Sequence, residues 1–214
     1  MPIVYKKLFI PGPVEIAPEI LAAMAMPMIG HRMKEYAEIH ARIKANLKKL
    51  LFTEGRVFLS TSSAFGAMEG AVRNLVGTRC ANFCNGAFSD KWHDVTKRCG
   101  KEADAFKAEW GQPITAEMVE QALSTGRYDS MTLIHNETST GVMSPLAEIC
   151  EVLRRYPEVI SIIDTVSSMS AVKNSSGRTR DRLLHIRGPE GLCSPSRTGR
   201  IYGIGESPCP CGND

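Results

Sequence analysis

The sequence predicts an α/β fold, a mostly parallel sheet with helices on both faces, and three observations carry that prediction. Short apolar runs of β-formers alternate with stretches of helical period. Each run ends in a polar or glycine-bearing turn, as strands feeding crossover helices do. The alternation continues without an internal repeat or a linker as far as residue 173.

The elements follow in order. Residues 33–52, MKEYAEIHARIKANLKKLLF, set Tyr36, Ile39, His40, Ile43, Leu47, Leu50 and Leu51 on one face of an amphipathic helix. His40 on that face is expected to be a core histidine rather than a ligand. A strand at 57–60 passes through the small-residue turn STSSAFG into a helix with Met68, Ala71, Val72 and Leu75 inward. CANFC is the next strand, followed by a helix, FSDKWHDVTKRCG, closed by Gly100. EADAFKAEW is a strand, and TAEMVEQALSTG is a helix capped by Thr115 and Gly126. MTLIH, a helix PLAEICEVLRRYP with Ser144 as N-cap and Pro145 at its first position, and VISIID complete the series.

With 214 residues, 43% hydrophobic and 23% charged, the chain is long enough for one sizeable core and is ordinary for a globular protein. A net charge of +3 leaves no nucleic-acid footprint, since much of the basic excess sits in Arg178, Arg180, Arg182, Arg187, Arg197 and Arg200. No apolar run has the length of a membrane span or a signal peptide, so a cytoplasmic location is expected. Of the seven cysteines, Cys80, Cys84, Cys99 and Cys150 fall in or beside apolar runs and are expected to behave as small core residues. Cys209 and Cys211 form a C-x-C without a second pair, read as chance rather than a zinc site.

Ligands of such sheets bind beyond the carboxyl ends of the strands, and four segments there carry chemistry. TSSAFGAMEG brings hydroxyl residues into the first turn of a helix, which suits either an anion such as phosphate or a simple N-cap by Ser62 or Ser63. It has neither a P-loop lysine nor a G-x-G-x-x-G, which disfavours a nucleotide site. In NGAFSDKW, Phe88 either lies against a flat ligand ring or packs at the helix entry. HNETSTG gathers Asn136, Glu137, Thr138, Ser139 and Thr140 into one loop. In IIDTVSS, Asp164 ends an apolar strand, where its carboxylate requires a cation, a protonated pyridine nitrogen or Mg²⁺, or caps the following turn.

Five segments, PGPVEIAPEILAAM, STSSAFGAMEG, NGAF, HNETSTGV and DTVSS, together resemble the large domain of the class V aminotransferases. These are pyridoxal-phosphate enzymes of fold type I, and the likeness is greatest to the alanine/serine:glyoxylate or pyruvate branch. The resemblance implies that the amides of Ser63, Ala64 and Phe65 hold the cofactor phosphate. It implies that Phe88 stacks on one face of the ring, Val166 presses on the other, Thr138 bonds the ring hydroxyl and Asp164 pairs with the ring nitrogen. Gly12 and Pro13 of the Pro11-Gly12-Pro13 turn would border the substrate pocket. It further implies an amino acid and a 2-oxo acid as substrates and a homodimer as the assembled state.

One family feature is missing, the lysine that joins the cofactor covalently and moves the α-proton. Its segment, G-x-Q-K-A followed by Pro-Pro-Gly, is replaced here by GPEGLCSPSRTG at 188–199, and Lys173 is the last lysine of the chain. The tail from Asn174 shows neither helical nor strand period. Codons for Pro189 to Gly199 can be chosen that, read one base later, give Gln-Lys-Ala-Phe-Ala-Leu-Pro-Pro-Gly-Leu, with the lysine straddling Glu190 and Gly191. Codons for Arg178 to Arg187 shifted alike yield Gly-Leu-Gly-Ile-Asp-Cys-Phe-Thr-Ser-Gly. A base lost or gained between Lys173 and Arg178, in the gene or its record, accounts for both.

The expected organisation is therefore a partial cofactor-binding domain at 1–173, a frame-shifted and poorly ordered tail at 174–214, and no small C-terminal domain. The expected function is a pyridoxal-phosphate-dependent aminotransferase, inactive as written, and the alternative is a non-catalytic interaction partner of the same fold.

Overall fold

Residues that alternate in and out along a strand need cover on both sides when both sets are apolar, and the central strands here are of that kind. The computed structural model describes residues 7–10, 12–51, 53, 55–169 and 172, and the backbone of 183–187 and 200–204. Its strands are β1 (Arg56–Ser60), β2 (Arg79–Cys84), β3 (Glu102–Lys107), β4 (Ser130–Ile134), β5 (Asn136–Glu137), β6 (Val142–Met143), β7 (Ile160–Asp164), β8 (Leu183–Arg187) and β9 (Arg200–Ile204). Its helices are α1 (Pro18–Met24), α2 (Lys34–Leu50), α3 (Ala64–Leu75), α4 (Ala87–Arg98), α5 (Ala116–Leu123) and α6 (Leu146–Leu153).

Seven strands form one sheet in the order β1-β9-β8-β7-β4-β2-β3, while β5 and β6 form a small antiparallel hairpin. From β3 across to β8 every neighbouring pair is parallel; β9 is antiparallel to both β8 and β1. The carboxyl ends of β1, β2, β4 and β7 consequently share one edge of the sheet.

Each face has its own core. Ala81, Phe83, Met131, Leu133 and Ile163 pack against Val119, Ala122 and Leu123 of α5 and Leu146, Ile149 and Leu153 of α6. On the other face Cys80, Ile134 and Ile162 meet Ala67, Met68, Ala71 and Val72 of α3 and Trp92 of α4. The predicted α/β architecture with helices on both faces is the observed one. Thr115 caps α5 by accepting the Met118 amide at 3.3 Å, and Gly100 and Gly126 follow their helices at φ +76° and +67°.

Three expectations are corrected. Helix α6 has Pro145 as its N-cap, not Ser144; the Ser144 hydroxyl instead accepts the amide of Ile114 at 3.1 Å, so it is spent on a distant segment. Of the predicted inner face of α2, Leu47 and the flanking Leu51 are buried, whereas Tyr36, Ile43 and Leu50 are exposed, because α2 lies beyond the edge of the two main cores. The tail is not devoid of strands: β8 continues the parallel sheet beside β7, with Asp164 opposite Ile186, and β9 pairs with β1 from Arg56↔Ile204 to Ser60↔Arg200. Both are short runs rich in β-formers, LLHIR and RIYGI, within a tail that has no period over any longer window. The stretch 188–199, with the expected lysine position at Glu190, lies outside the described residues, as do Cys209 and Cys211.

Among the described residues no helix is long and apolar enough to cross a membrane, and no cluster of metal-ligating side chains occurs. Cys80, Cys84 and Cys150 are buried and Cys99 is half-buried. Burial pushes the thiols of Cys80 and Cys84 up to about 12, which keeps them protonated core groups. His40, expected in the core, is half-buried and stacks on Tyr36 with ring centroids 5.9 Å apart.

Candidate functional site

Helices α3 and α4, which follow β1 and β2, present their N-termini to the shared strand edge, and they differ in what satisfies their free amides. At α3, Ser63 is the N-cap, its hydroxyl accepting the Gly66 amide at 3.2 Å. The Ser62 amide donates to Ser60 Oγ at 3.3 Å. The amides of Ser63, Ala64 and Phe65 have no hydrogen-bond partner among the described residues and stand at the positive end of a twelve-residue helix. The cap and the anion seat considered from the sequence are thus compatible: the side chain serves one amide and leaves the preceding ones open.

At α4 the arrangement is the reverse. Glu137, wholly buried, turns its carboxylate into the first turn, where Oε2 accepts the Ser89 amide at 3.0 Å and Oε1 the Phe88 amide at 3.4 Å. The Ser139 hydroxyl accepts the Ala87 amide at 3.0 Å and donates to Glu137 Oε1 at 2.7 Å. Gly86 permits the approach: a Cβ there would lie 2.5 Å from Glu137 Cγ. In sequence Glu137 is one polar residue of its loop among several, and Gly86, where a side chain would clash with it, is the local sign that something packs closely there.

Phe88 emerges from that turn with its side chain 41% exposed, and its ring stacks on Phe65 at 6.3 Å between centroids and 20° between planes. Lys91 Nζ lies 4.2 Å from the centroid of the Phe65 ring. Val166, half-buried, packs into the same apolar cluster as Ala64 and Phe65. Asp164 ends β7 at 4% exposure and accepts the Val166 amide through Oδ1 at 2.7 Å. Its turn-capping role is therefore real, and it uses one carboxylate oxygen for it. Thr138 Oγ1 and Ser167 Oγ are 2.5 Å apart, joining the loop after β4 to the turn after β7. His135 reinforces the join: its amide donates to the Asp164 carbonyl at 2.8 Å and its Nδ1 meets Ser168 Oγ at 2.9 Å. Burial lowers its pKa, which favours the neutral ring.

Ser63, Ala64, Phe65, Phe88, Thr138, Asp164 and Val166 accordingly stand on adjoining turns along one sheet edge. Gly12 and Pro13 are both exposed and are linked by a cis peptide bond.

The aminotransferase class-V family matches residues 24–175. An uncharacterized aminotransferase of Methanocaldococcus jannaschii is 40% identical over 171 residues, covering 78% of this chain and 44% of that protein. The serine–glyoxylate aminotransferase of Hyphomicrobium methylovorum is 32% identical over 178 residues, covering 79% and 44%. The crystal structure of the alanine–glyoxylate aminotransferase from Nostoc sp. superposes with a TM-score of 0.84 at 26% identity, over 95% of this chain and 55% of that one. The chain thus spans less than half the length of these two curated relatives. Pyridoxal phosphate is the cofactor that family membership implies. A family match that covers β1 to β7 and all four site turns leaves one assignment: the chain belongs to the class-V aminotransferases.

Proposed function

We propose that this chain carries the cofactor-binding part of a pyridoxal-phosphate-dependent aminotransferase whose intact form moves an amino group from alanine or serine to a small 2-oxo acid, glyoxylate or pyruvate. The observation that supports it most is the placement of four chemically distinct turns on one sheet edge inside the family match. The substrate class rests on the names of the serine– and alanine–glyoxylate relatives.

The residues present fit the cofactor. Open amides at Ser63, Ala64 and Phe65 suit its phosphate; the exposed face of Phe88 and the apolar side of Val166 suit a flat ring. Thr138 supplies a hydroxyl for the ring hydroxyl, and Asp164 a buried carboxylate that holds a proton on the ring nitrogen. When bound, the protonated ring withdraws electrons from the α-carbon of the amino acid.

The chain as written performs no transamination on this account, because residues 174–214 contain no lysine to move the α-proton. The family match ends at 175, inside the window from Lys173 to Arg178 where a one-base frame change was inferred. Sequencing the gene across codons 172–180 tests this: a frame that continues the family segment after one base is inserted or removed supports it, and an intact alternative frame in independent isolates contradicts it.

A second reading, an interaction partner of the same fold, is favoured by the apolar surface that α1, α2 and their connection expose, including Met24, Met26, Met28, Tyr36 and Ile43. In the aminotransferase reading the same surface serves a homodimer in the cytoplasm. Sedimentation distinguishes a self-associating chain from one that dimerises only with a longer subunit.

A further inference from the structure

The carboxylate of Glu137 is buried, yet among the described residues no lysine or arginine pairs with it; its partners are the amides of Phe88, Ser89 and Ser139 and the hydroxyls of Ser89 and Ser139. It thus sits as an internal anion on the N-terminus of α4, where a ligand anion would otherwise be attracted. The Ser139 hydroxyl completes the set by taking the Ala87 amide, so the first three amides of α4 are all held from the loop after β4. Ser89 closes the turn from its own side, accepting the amides of Asn85 and Gly86 at 3.0 and 3.1 Å.

Two consequences follow. Of the α3 and α4 N-termini, that of α4 is already occupied by the Glu137 carboxylate and that of α3 is open, so of these two only α3 offers a seat to a bound phosphate. The backbone of Phe88, held between Ala87 and Ser89, cannot turn without breaking a hydrogen bond to a buried carboxylate; this fixes the direction in which its Cα–Cβ bond leaves the turn, and stacking on Phe65 orients the ring.

We propose that Glu137 is a positioning residue: it fixes Phe88 against the flat-ring part of the site and reserves the α3 turn for the anion. This rests on the cofactor reading above for the identity of the ring, and on the hydrogen bonds alone for the fixing of Phe88. Glu137→Gln removes an acceptor oxygen and directs an amide N–H at the helix amides.

The test uses the full 214-residue chain in phosphate-free buffer. Equilibrium dialysis gives its affinity for pyridoxal phosphate and for inorganic phosphate, and amide exchange is followed by NMR at Phe88, Ser89 and Ser139. Glu137→Gln is expected to weaken pyridoxal phosphate by about tenfold or more while inorganic phosphate changes by less than about twofold, with all three amides exchanging faster. Glu137→Asp should recover part of the loss. Ser139→Ala, which keeps the carboxylate, should loosen Ala87 and lower cofactor affinity in the same direction, and it carries the test if Glu137→Gln does not fold.

Equal losses for both ligands would make Glu137 a general fold residue and overturn the proposal, as would unchanged amide protection in Glu137→Gln. A wild-type chain that binds inorganic phosphate but not pyridoxal phosphate, or neither, sinks the cofactor reading instead. The fixing of Phe88 is then decided by amide exchange alone: faster exchange at Phe88 and Ser89 in the variant supports it, and unchanged exchange overturns it.

Discussion

Asp164 accepts the amide of Val166 at 2.7 Å, and this bond ties the end of β7 to the turn that carries the apolar flank of the proposed ring site. Asparagine keeps an oxygen for that amide but cannot hold a proton on a ring nitrogen by charge. Asp164→Asn is therefore expected to retain the fold, whereas Asp164→Ala loses the turn and about 1–2 kcal/mol of stability in urea unfolding. In a frame-restored, extended chain, Asp164→Asn should slow α-proton abstraction in stopped-flow by about two orders of magnitude or more. Wild-type rates would remove Asp164 from the cofactor site.

Gly86→Ala should be costly, since its Cβ would meet Glu137 Cγ at 2.5 Å and Ser139 Oγ at 2.6 Å in a buried setting. A loss of about 1–3 kcal/mol is expected. Gly70→Ala is the internal contrast: inside α3, with nothing within 4 Å of its Cβ, it should stabilise by about 0.5–1 kcal/mol. Thermal or urea unfolding of the pair reads both signs, and a neutral Gly86→Ala would show that Glu137 has room to move.

The buried His135 has its pKa lowered from the ordinary 6.5. The unfolded chain thus takes up the proton first, so this contribution to stability is complete above that value and lost as pH falls through it toward the folded-state pKa. Between about pH 7.5 and about pH 5.5 the wild type should lose more stability than His135→Gln. His93, also lowered chiefly by burial, is common to both proteins and cancels in the difference. Equal pH slopes would show that His135 titrates alike folded and unfolded.

Because β1 pairs with β9, deleting residues 200–214 should expose the backbone of Arg56–Ser60 and accelerate its hydrogen exchange. Strands β4 and β7, paired with each other and lined by both cores, should keep their protection. Unchanged protection of β1 in the truncated chain would contradict the pairing.

The central sheet was legible because its signals are local and redundant. Apolar alternation at Met131 to Ile134 and Ile160 to Ile163, cap residues such as Thr115, and glycines at Gly100 and Gly126 each act within a few residues. What was not legible depends on partners far along the chain. Ser144 has the composition of an N-cap, but its hydroxyl is taken by Ile114, thirty residues away. The two-residue strands β5 and β6 are too short for any period, though Gly141 at φ +72° marks their turn. Strands β8 (LLHIR) and β9 (RIYGI) are short apolar runs, each five residues long, set in an arginine-, serine- and glycine-rich tail whose overall lack of period hides them. At the site, seven of the nine candidate residues fall on adjoining turns of one edge, since strand ends are where α/β sheets place them. The role of Glu137 is not legible in the sequence, because a buried carboxylate held by backbone amides looks there like any loop acid.

Borohydride reduction in the presence of pyridoxal phosphate, followed by peptide mass mapping, addresses the central claim, that this is a cofactor-binding class-V chain deprived of its lysine by a change of frame. The 214-residue chain should yield no stoichiometric modification at any single lysine. The same chain with one base restored, so that Gln-Lys-Ala follows and translation continues through the family's remaining length, should yield one modified peptide containing that lysine. A stoichiometric modification at one specific lysine of the unrepaired chain, or none at the restored lysine of the repaired one, would contradict the account.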